Sequence, residues 1–294
     1  MHFEKVSLIG VGLLGGSLGM AIKQRKLAKR VEACVRREAS IAECQQLGAV
    51  DSATLDLASA VQDADVVVLC TPLAQMRELT ERMLPNLKPG TIVTDVGSVK
   101  GSVVSELTPL VARANAEFIG SHPMAGSDQT GVAAARADLF QDTICLITPT
   151  QASSAHAVRL AQNLWKGVGC SPLRMRPDTH DDLVSRSSHL PHVVAAELAN
   201  YVLSPAHPKE QSILCATGFR DTTRIASGSP EMWRDIALAN RKHLIRVLGV
   251  FIEDLQEFQL ALERQDVNVI EEFFTKAKQR RDQWLAQSAG STFE

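Results

Sequence analysis

The chain has 294 residues, room for two domains with separate cores, and its 45% apolar and 22% charged composition is that of a globular protein. A net charge of -2 gives no electrostatic footprint for nucleic acid or for an anionic membrane. The apolar runs are strand-sized, and Met1-His2-Phe3-Glu4-Lys5 lacks a signal-peptide layout, so the sequence reads as cytoplasmic, with no membrane partner. The six cysteines, Cys34, Cys44, Cys70, Cys145, Cys170 and Cys215, include no CxxC pair and mostly sit inside apolar runs. There a reduced thiol packs as a small hydrophobe, which argues against disulfides and a structural zinc.

In chain order, the first predicted element is a buried strand that runs into Gly10-x-Gly12-x-x-Gly15 and then into a helix carrying Leu18, Ala21 and Ile22. This is the context a dinucleotide-binding turn requires. Gly10 permits a tight turn, Gly12 lets a pyrophosphate approach the backbone, and Gly15 lets helix and strand pack closely. Leu13 and Leu14 open the helix, whose free N–H groups face the phosphates. Further strands are predicted over 31–35, 66–70, 91–96, 117–119, 143–147 and 171–175, with helices over 40–47, 75–84 and 153–167. Alternation of this kind specifies a doubly wound, mostly parallel α/β sheet of Rossmann type. Its strands end in loops with polar residues: Thr71-Pro72, Asp95 to Ser98 and Ser121-His122-Pro123. Ligands of such sheets bind outside the carboxyl ends of the strands, so Thr71 and Pro72 are expected against the cofactor.

From Pro177 onward strand signals stop. The expectation is a dinucleotide-binding domain over 1–176 and an all-α substrate-binding and dimerisation domain over 177–294. One long helix is predicted over 178–203, kinked at Pro191, and another begins at Ser229-Pro230, an N-cap hydroxyl followed by proline. Leu244, Leu248, Phe251, Leu255, Phe258 and Leu262 then form an extended apolar seam, widened by Ile245, Val247, Val250 and Ile252. A helix apolar on more than one side needs partners on more than one side, which predicts a homodimer. The last helix is predicted over 266–287.

The cofactor type follows from the end of the second strand, where NAD-binding folds place an acid for the adenosine ribose. Here the sequence is Val35-Arg36-Arg37-Glu38-Ala39-Ser40. An arginine fork at Arg36 or Arg37 pairs with a 2′-phosphate, with Ser40 adding a hydroxyl or N–H, so NADP is expected ahead of NAD. The competing reading leaves both arginines as solvated charge, with Glu32 or Glu38 on the ribose.

Four further segments hold chemistry-bearing side chains: Asp95 to Lys100 (DVGSVK), Gly120 to Asp128 (GSHPMAGSD), Ser188 to His192 (SHLPH) and Gly218 to Trp233 (GFRDTTRIASGSPEMW). In this order after the glycine turn, they resemble the prephenate and arogenate dehydrogenases of tyrosine biosynthesis, and the resemblance covers essentially the whole chain. It implies NAD(P)-dependent oxidative decarboxylation of a cyclohexadienol. By that resemblance His122 takes the proton of the substrate hydroxyl as general base and Ser98 orients histidine and substrate. Arg224 and His192 bind the substrate, His189 orients His192 or binds substrate itself, and Trp233 and Asp128 lie near the site. An imidazole titrates near neutral pH and an arginine fork fits a carboxylate, so the residue types suit these roles. Taken alone, a histidine before proline in a loop is usually structural. No metal is expected, since His189 and His192 have no third ligand at a sensible spacing.

The segment after TRIA is Ser227-Gly228-Ser229-Pro230 where many members carry an aspartate before the proline, which leans toward prephenate, whose side chain has no amine to pair. Two other classes compete. A 6-phosphogluconate-like hydroxyacid dehydrogenase resembles a lysine-based site on the interdomain helix, but there is no lysine between Asp178 and Leu203. A non-catalytic NADP-binding sensor leaves Ser98, His122, His192 and Arg224 unexplained.

Overall fold

Residues 2–127 and 129–290 are described by the structure, a computed structural model. Eight strands form one sheet: β1 (Phe3–Ile9), β2 (Ala28–Cys34), β3 (Ser52–Thr54), β4 (Val66–Leu69), β5 (Ile92–Asp95), β6 (Glu117–Pro123), β7 (Ile144–Thr148) and β8 (Ser171–Arg174). Their order is β3-β2-β1-β4-β5-β6-β7-β8. The first six run parallel, β7 pairs antiparallel with β6, and β8 is parallel to β7. Between them lie α1 (Leu13–Gln24), α2 (Ala39–Gln46), α3 (Leu57–Val61), α4 (Leu73–Met83), α5 (Gly101–Ala112) and α6 (Ala155–Gly167).

The pleat sends successive side chains to opposite faces, and both faces are covered. Val66 and Val68 enter one buried cluster with Leu18 and Ile22 of α1 and Leu164 and Trp165 of α6. Val67 and Leu69 enter the other with Met76 of α4 and Leu107 of α5. This burial on both sides is why β4 reads as an unbroken apolar run. The sheet is the doubly wound, mostly parallel one expected, with the switch in strand order between β1 and β4.

Several local features differ from the sequence reading, among them the helix α5, which it does not predict. The short β3 and α3 were not expected, being three and five residues long, too short to show a period. Strand β6 continues to Pro123, so Ser121, His122 and Pro123 lie on a strand and not in a loop. The antiparallel neighbour β7 extends it, pairing His122 with Leu146, and that partner is remote in sequence. The helix expected over 178–203 is built as α7 (Pro177–Val184), a π-helical turn (Ser185–His189) and α8 (Leu190–Val202). Pro191 has no N–H to give and its ring would strike the carbonyl four residues back; the wider π turn relieves both.

The chain continues through α9 (Glu210–Ile213), α10 (Thr217–Thr223), α11 (Pro230–Ala239), α12 (Arg241–Glu263) and α13 (Val267–Gly290). Ser229 caps α11 as expected, its hydroxyl accepting from the Met232 N–H at 3.3 Å. Two compact units result, Met1–Arg241 and Lys242–Glu294. The change from mixed to helical structure near 177 and the division between units therefore fall at different points. In the second unit Phe258 packs its ring on Phe273 at 4.5 Å and edge-on against Phe274 at 5.8 Å. No helix among the described residues is long and apolar enough to cross a membrane.

Candidate active site

In the glycine turn between β1 and α1 the three glycines differ in what surrounds them. Gly10 has φ +94°, and a Cβ there would sit 3.0 Å from the Cys70 carbonyl oxygen. At Gly15 a Cβ would lie 2.3 Å from the Gly10 oxygen, so only glycine lets α1 start this close to the strand. A Cβ on Gly12 would meet nothing within 4 Å: the space in front of it is open. Leu13 and Leu14 form the first turn of α1, and across the turn from them Thr71 and Pro72 follow β4, with Pro72 at the start of α4. The Thr71 hydroxyl is buried without a hydrogen-bond partner among the described residues. It lines, with Gly10, Arg36, Leu79 and Arg82, a cavity of about 440 Å³. An open backbone cradle, an unspent hydroxyl and an arginine at the rim fit a dinucleotide.

Arg36 and Arg37 are exposed on the turn between β2 and α2, and Ser40 is half-buried. The Ser40 N–H is already spent on the Arg37 carbonyl at 3.0 Å, which leaves its hydroxyl for a ligand. Glu32 faces elsewhere: its carboxylate pairs with Lys5, accepts from the Ser52 hydroxyl at 3.1 Å and meets Arg30 at 3.2 Å.

Toward the other end of the same sheet edge, β5 and β6 deliver the second group of residues. The β5 carboxylate, Asp95, accepts from the N–H of Gly97 at 2.9 Å and of Ser121 at 3.0 Å and pairs with Lys100, whose side chain is fully buried. This ties the Ser98 loop to the strand that carries His122. His122 itself is 8% exposed. Its Nδ1 is 2.9 Å from Nε2 of His180, and His180 Nδ1 is 2.7 Å from Oδ1 of Asp181. The Asp181 carboxylate also accepts the backbone N–H groups of Lys100 and Gly101, both at 2.8 Å, at the N-terminus of α5. Burial alone would raise the Asp181 pKa; the His180 bond and the two backbone donors outweigh it and hold the carboxylate ionised. Burial depresses His122 well below the ordinary histidine range, helped by the His180, Lys100 and His189 charges. Burial lowers His180 too, opposed by Asp181.

A third group comes from the helices. His189, closing the π turn, is 1% exposed; its Nδ1 takes a bond from the Asn240 amide at 3.0 Å, and the same amide donates to the Asp181 carbonyl at 2.9 Å. Burial pulls the His189 pKa down to about 4, and its Nε2, beside the Ser98 backbone, has no hydrogen-bond partner among the described residues. His192, one turn on, is half-buried, bonds the Ser188 carbonyl through Nδ1 at 2.9 Å and stacks on Trp233 at 3.6 Å. Burial lowers its pKa, and the nearby Arg224 adds to the effect. Arg224 is exposed at the start of a 3₁₀ turn. Asp128 lies outside the described residues. Among the described residues no group of three His, Cys, Asp or Glu side chains is placed to hold a metal ion.

The structure thus assembles His189, His192, Trp233 and Arg224 as one neighbourhood and places Ser98 and His122 at adjacent ends of β5 and β6. Sequence reasoning missed His180, Asp181 and Asn240, and passed over the burial of Lys100. The only available signal for the first two was a His-Asp doublet early in a helix, which reads as ordinary surface polarity until its burial is known.

Residues 18–172 match the family model "Prephenate dehydrogenase, nucleotide-binding domain" and residues 176–276 match "Prephenate dehydrogenase, dimerization domain". The chain is 34% identical over 285 residues to a prephenate dehydrogenase of Bacillus subtilis, covering 95% of this chain and 76% of the relative. It is 34% identical over 281 residues to a cyclohexadienyl dehydrogenase of Zymomonas mobilis, covering 95% of each. A crystal structure of prephenate dehydrogenase from Aquifex aeolicus with hydroxyphenyl propionate and NAD+ superposes with a TM-score of 0.89 at 28% identity, over 95% of this chain and 98% of that one.

Proposed function

The chain belongs to the prephenate dehydrogenase family and is an oxidoreductase with a nicotinamide cofactor, and we propose that it oxidatively decarboxylates prephenate to 4-hydroxyphenylpyruvate, using NADP and His122 as general base. The observation that carries the proposal is the position of His122: buried at the end of β6, next to the β5 end that bears Ser98, on the edge of the sheet where β1 and β4 open the cofactor turn. Because Nδ1 is engaged by His180, Nε2 is the nitrogen that meets the substrate hydroxyl. What the nicotinamide supplies when bound is a hydride acceptor for the carbon that bears this hydroxyl.

The residues do the rest. His122 removes the hydroxyl proton, and a well-placed base contributes on the order of 10²–10⁴ in rate. Ser98 holds the hydroxyl in line with it. As the ring becomes aromatic its carboxylate leaves as CO₂, and no group is needed to catch it. Arg224 offers its fork to a carboxylate of the substrate, and His192, its Nδ1 proton spent on the Ser188 carbonyl and its ring stacked on Trp233, presents Nε2 beside it as an acceptor. No carboxylate occupies 227–230 to draw an ammonium, which supports prephenate over arogenate. Gly10, Gly12, Gly15, Leu13, Leu14, Thr71 and Pro72 hold the pyrophosphate end, and Arg36, Arg37 and Ser40 the 2′-phosphate. We assign dinucleotide binding to 1–176, and substrate binding and homodimer formation to 177–294, in a cytoplasmic biosynthetic enzyme.

The test is the initial rate with prephenate and with arogenate, each with NADP and NAD, for the wild type and for His122→Asn. Prephenate with NADP is expected to be fastest, and His122→Asn to bind NADP normally while losing nearly all turnover. Unchanged turnover in that variant refutes the base role.

A further inference from the structure

We propose that His180 and Asp181 are positioning residues for the reaction, forming a buried relay with His122 that fixes its tautomer and takes over the positive charge it acquires. The inference rests on the reading of His122 as the base and adds two groups that neither touch the substrate nor were visible as functional in the sequence.

The tautomer follows from donors and acceptors alone. The Asp181 carboxylate accepts at both oxygens, from two backbone N–H groups and from His180 Nδ1 at 2.7 Å. A carboxylate can only accept, so His180 carries its proton on Nδ1 and its Nε2 is a lone pair. His122 Nδ1, 2.9 Å away, must then be the donor, and its own lone pair falls on Nε2, the nitrogen that faces chemistry. With the opposite tautomer, two lone pairs would face each other inside the protein, at a cost of the order of a lost buried hydrogen bond.

The same chain answers an electrostatic problem. His122 is buried, and Lys100 and His189 stand close enough to oppose a charge on it. Lys100 is itself neutralised by Asp95, which leaves Asp181, bonded to His180, as the carboxylate that serves the pair of imidazoles. A solitary imidazole here would be a poor proton acceptor. In the relay the hydroxyl proton arrives at His122 Nε2 while the Nδ1 proton passes to His180 Nε2. His122 ends neutral and His180 ends as an imidazolium held against ionised Asp181. One proton enters, one is handed on, and no electrons move. Asp181 stays a carboxylate because the α5 N-terminus and its two N–H donors hold it there. Asn240, bonded to the Asp181 carbonyl and to His189, fixes the backbone on which the pair rides.

The test uses the full-length enzyme with prephenate and NADP. His180→Leu removes both functions, whereas His180→Gln keeps an acceptor for His122 Nδ1 but cannot carry the charge. His180→Leu is expected to lower kcat by roughly 10- to 100-fold, with KM for prephenate and the NADP dissociation constant changed less than about threefold. The acid limb of its kcat profile should also move, because the proton accepted at His122 no longer has His180 to pass to. His180→Gln should recover part of kcat while keeping the displaced limb. Independently of any variant, long-range ¹⁵N–¹H spectra of the wild type should show His122 protonated on Nδ1. A wild-type His122 protonated on Nε2 overturns the proposal. So does a folded, cofactor-binding His180→Leu enzyme with wild-type kcat and pH profile. If His122→Asn keeps full turnover, the base reading itself fails; if His122→Asn is inactive and His180→Leu is normal, only the relay fails.

Discussion

Arg36 shows how much a single side chain decides. The second strand ends in arginine where an acid would hold a ribose, and the nearest strand carboxylate, Glu32, is committed to Lys5, Ser52 and Arg30. Nothing acidic from β2 is therefore free to repel a 2′-phosphate at the cavity that Arg36 lines. Replacing Arg36 by aspartate removes one charge-assisted fork and adds a repulsion. The expected result is a KM for NADP raised by about 10- to 100-fold, with the KM for NAD unchanged or lower and the fold intact. Steady-state kinetics with both cofactors measures it, and an unaltered preference would reassign Arg36 to the solvent. At this scale the sequence was informative where chemistry is local. His122, Ser98, His192 and Arg224 stand in recognisable segments. His180, Asp181 and Asn240 do not, because what makes them matter is contact with residues 58, 80 and 59 positions away. Burial of a charged side chain is a property of the tertiary fold, and no local pattern announces it.

Among the elements, the strand–turn–helix at the N-terminus lets two glycines three residues apart be separated by experiment. Gly15 has backbone 2.3 Å from where a Cβ would be; Gly12 has open space. Gly15→Ala must therefore push α1 off the sheet and is expected to lower the melting temperature by several degrees, as an overpacking change of about 1–3 kcal/mol does. Gly12→Ala is expected to leave melting of the free protein within about a degree and to weaken NADP binding by tenfold or more, since the methyl group would enter the space of the pyrophosphate. Thermal melts with and without NADP resolve the two. Equal destabilisation of the free protein by both would show that Gly12 serves packing and not the ligand. The alternating α/β pattern was legible because β4 and its neighbours are buried on both faces. The extension of β6 and the π turn were not. The first depends on pairing with β7 across 20-odd residues, and the second on how the helix absorbs Pro191, for which the sequence offers a kink and a break as equally good solutions. Both lie under the site: β6 carries His122, and the π turn carries His189.

For the molecule as a whole, the open question is what covers the second unit. Ile245 is 69% exposed, Leu255 47% and Phe274 59%, with Val250, Ile252, Leu262 and Val267 also open to solvent. Single exposed hydrophobics are ordinary, but a two-helix segment bearing this many fits the homodimer proposed above. Its sequence lies largely within the stretch that matches a dimerization domain. A two-fold interface uses each side chain twice, so Ile245→Glu with Leu255→Glu removes four aliphatic contacts and buries charge in their place. At about 1.5 kcal/mol or more per buried aliphatic group, the dimer should weaken by about 6 kcal/mol, roughly 10⁴-fold. Light scattering at micromolar concentration is expected to report a dimer for the wild type and a monomer for the double variant. A wild type that is already monomeric removes the dimer from the account. The cofactor turn, His122, His180, Asp181, His192, Trp233 and Arg224 all lie within Met1–Arg241. The monomeric variant is accordingly expected to keep its NADP dissociation constant within about twofold, so that loss of assembly can be told apart from loss of the fold that builds the site.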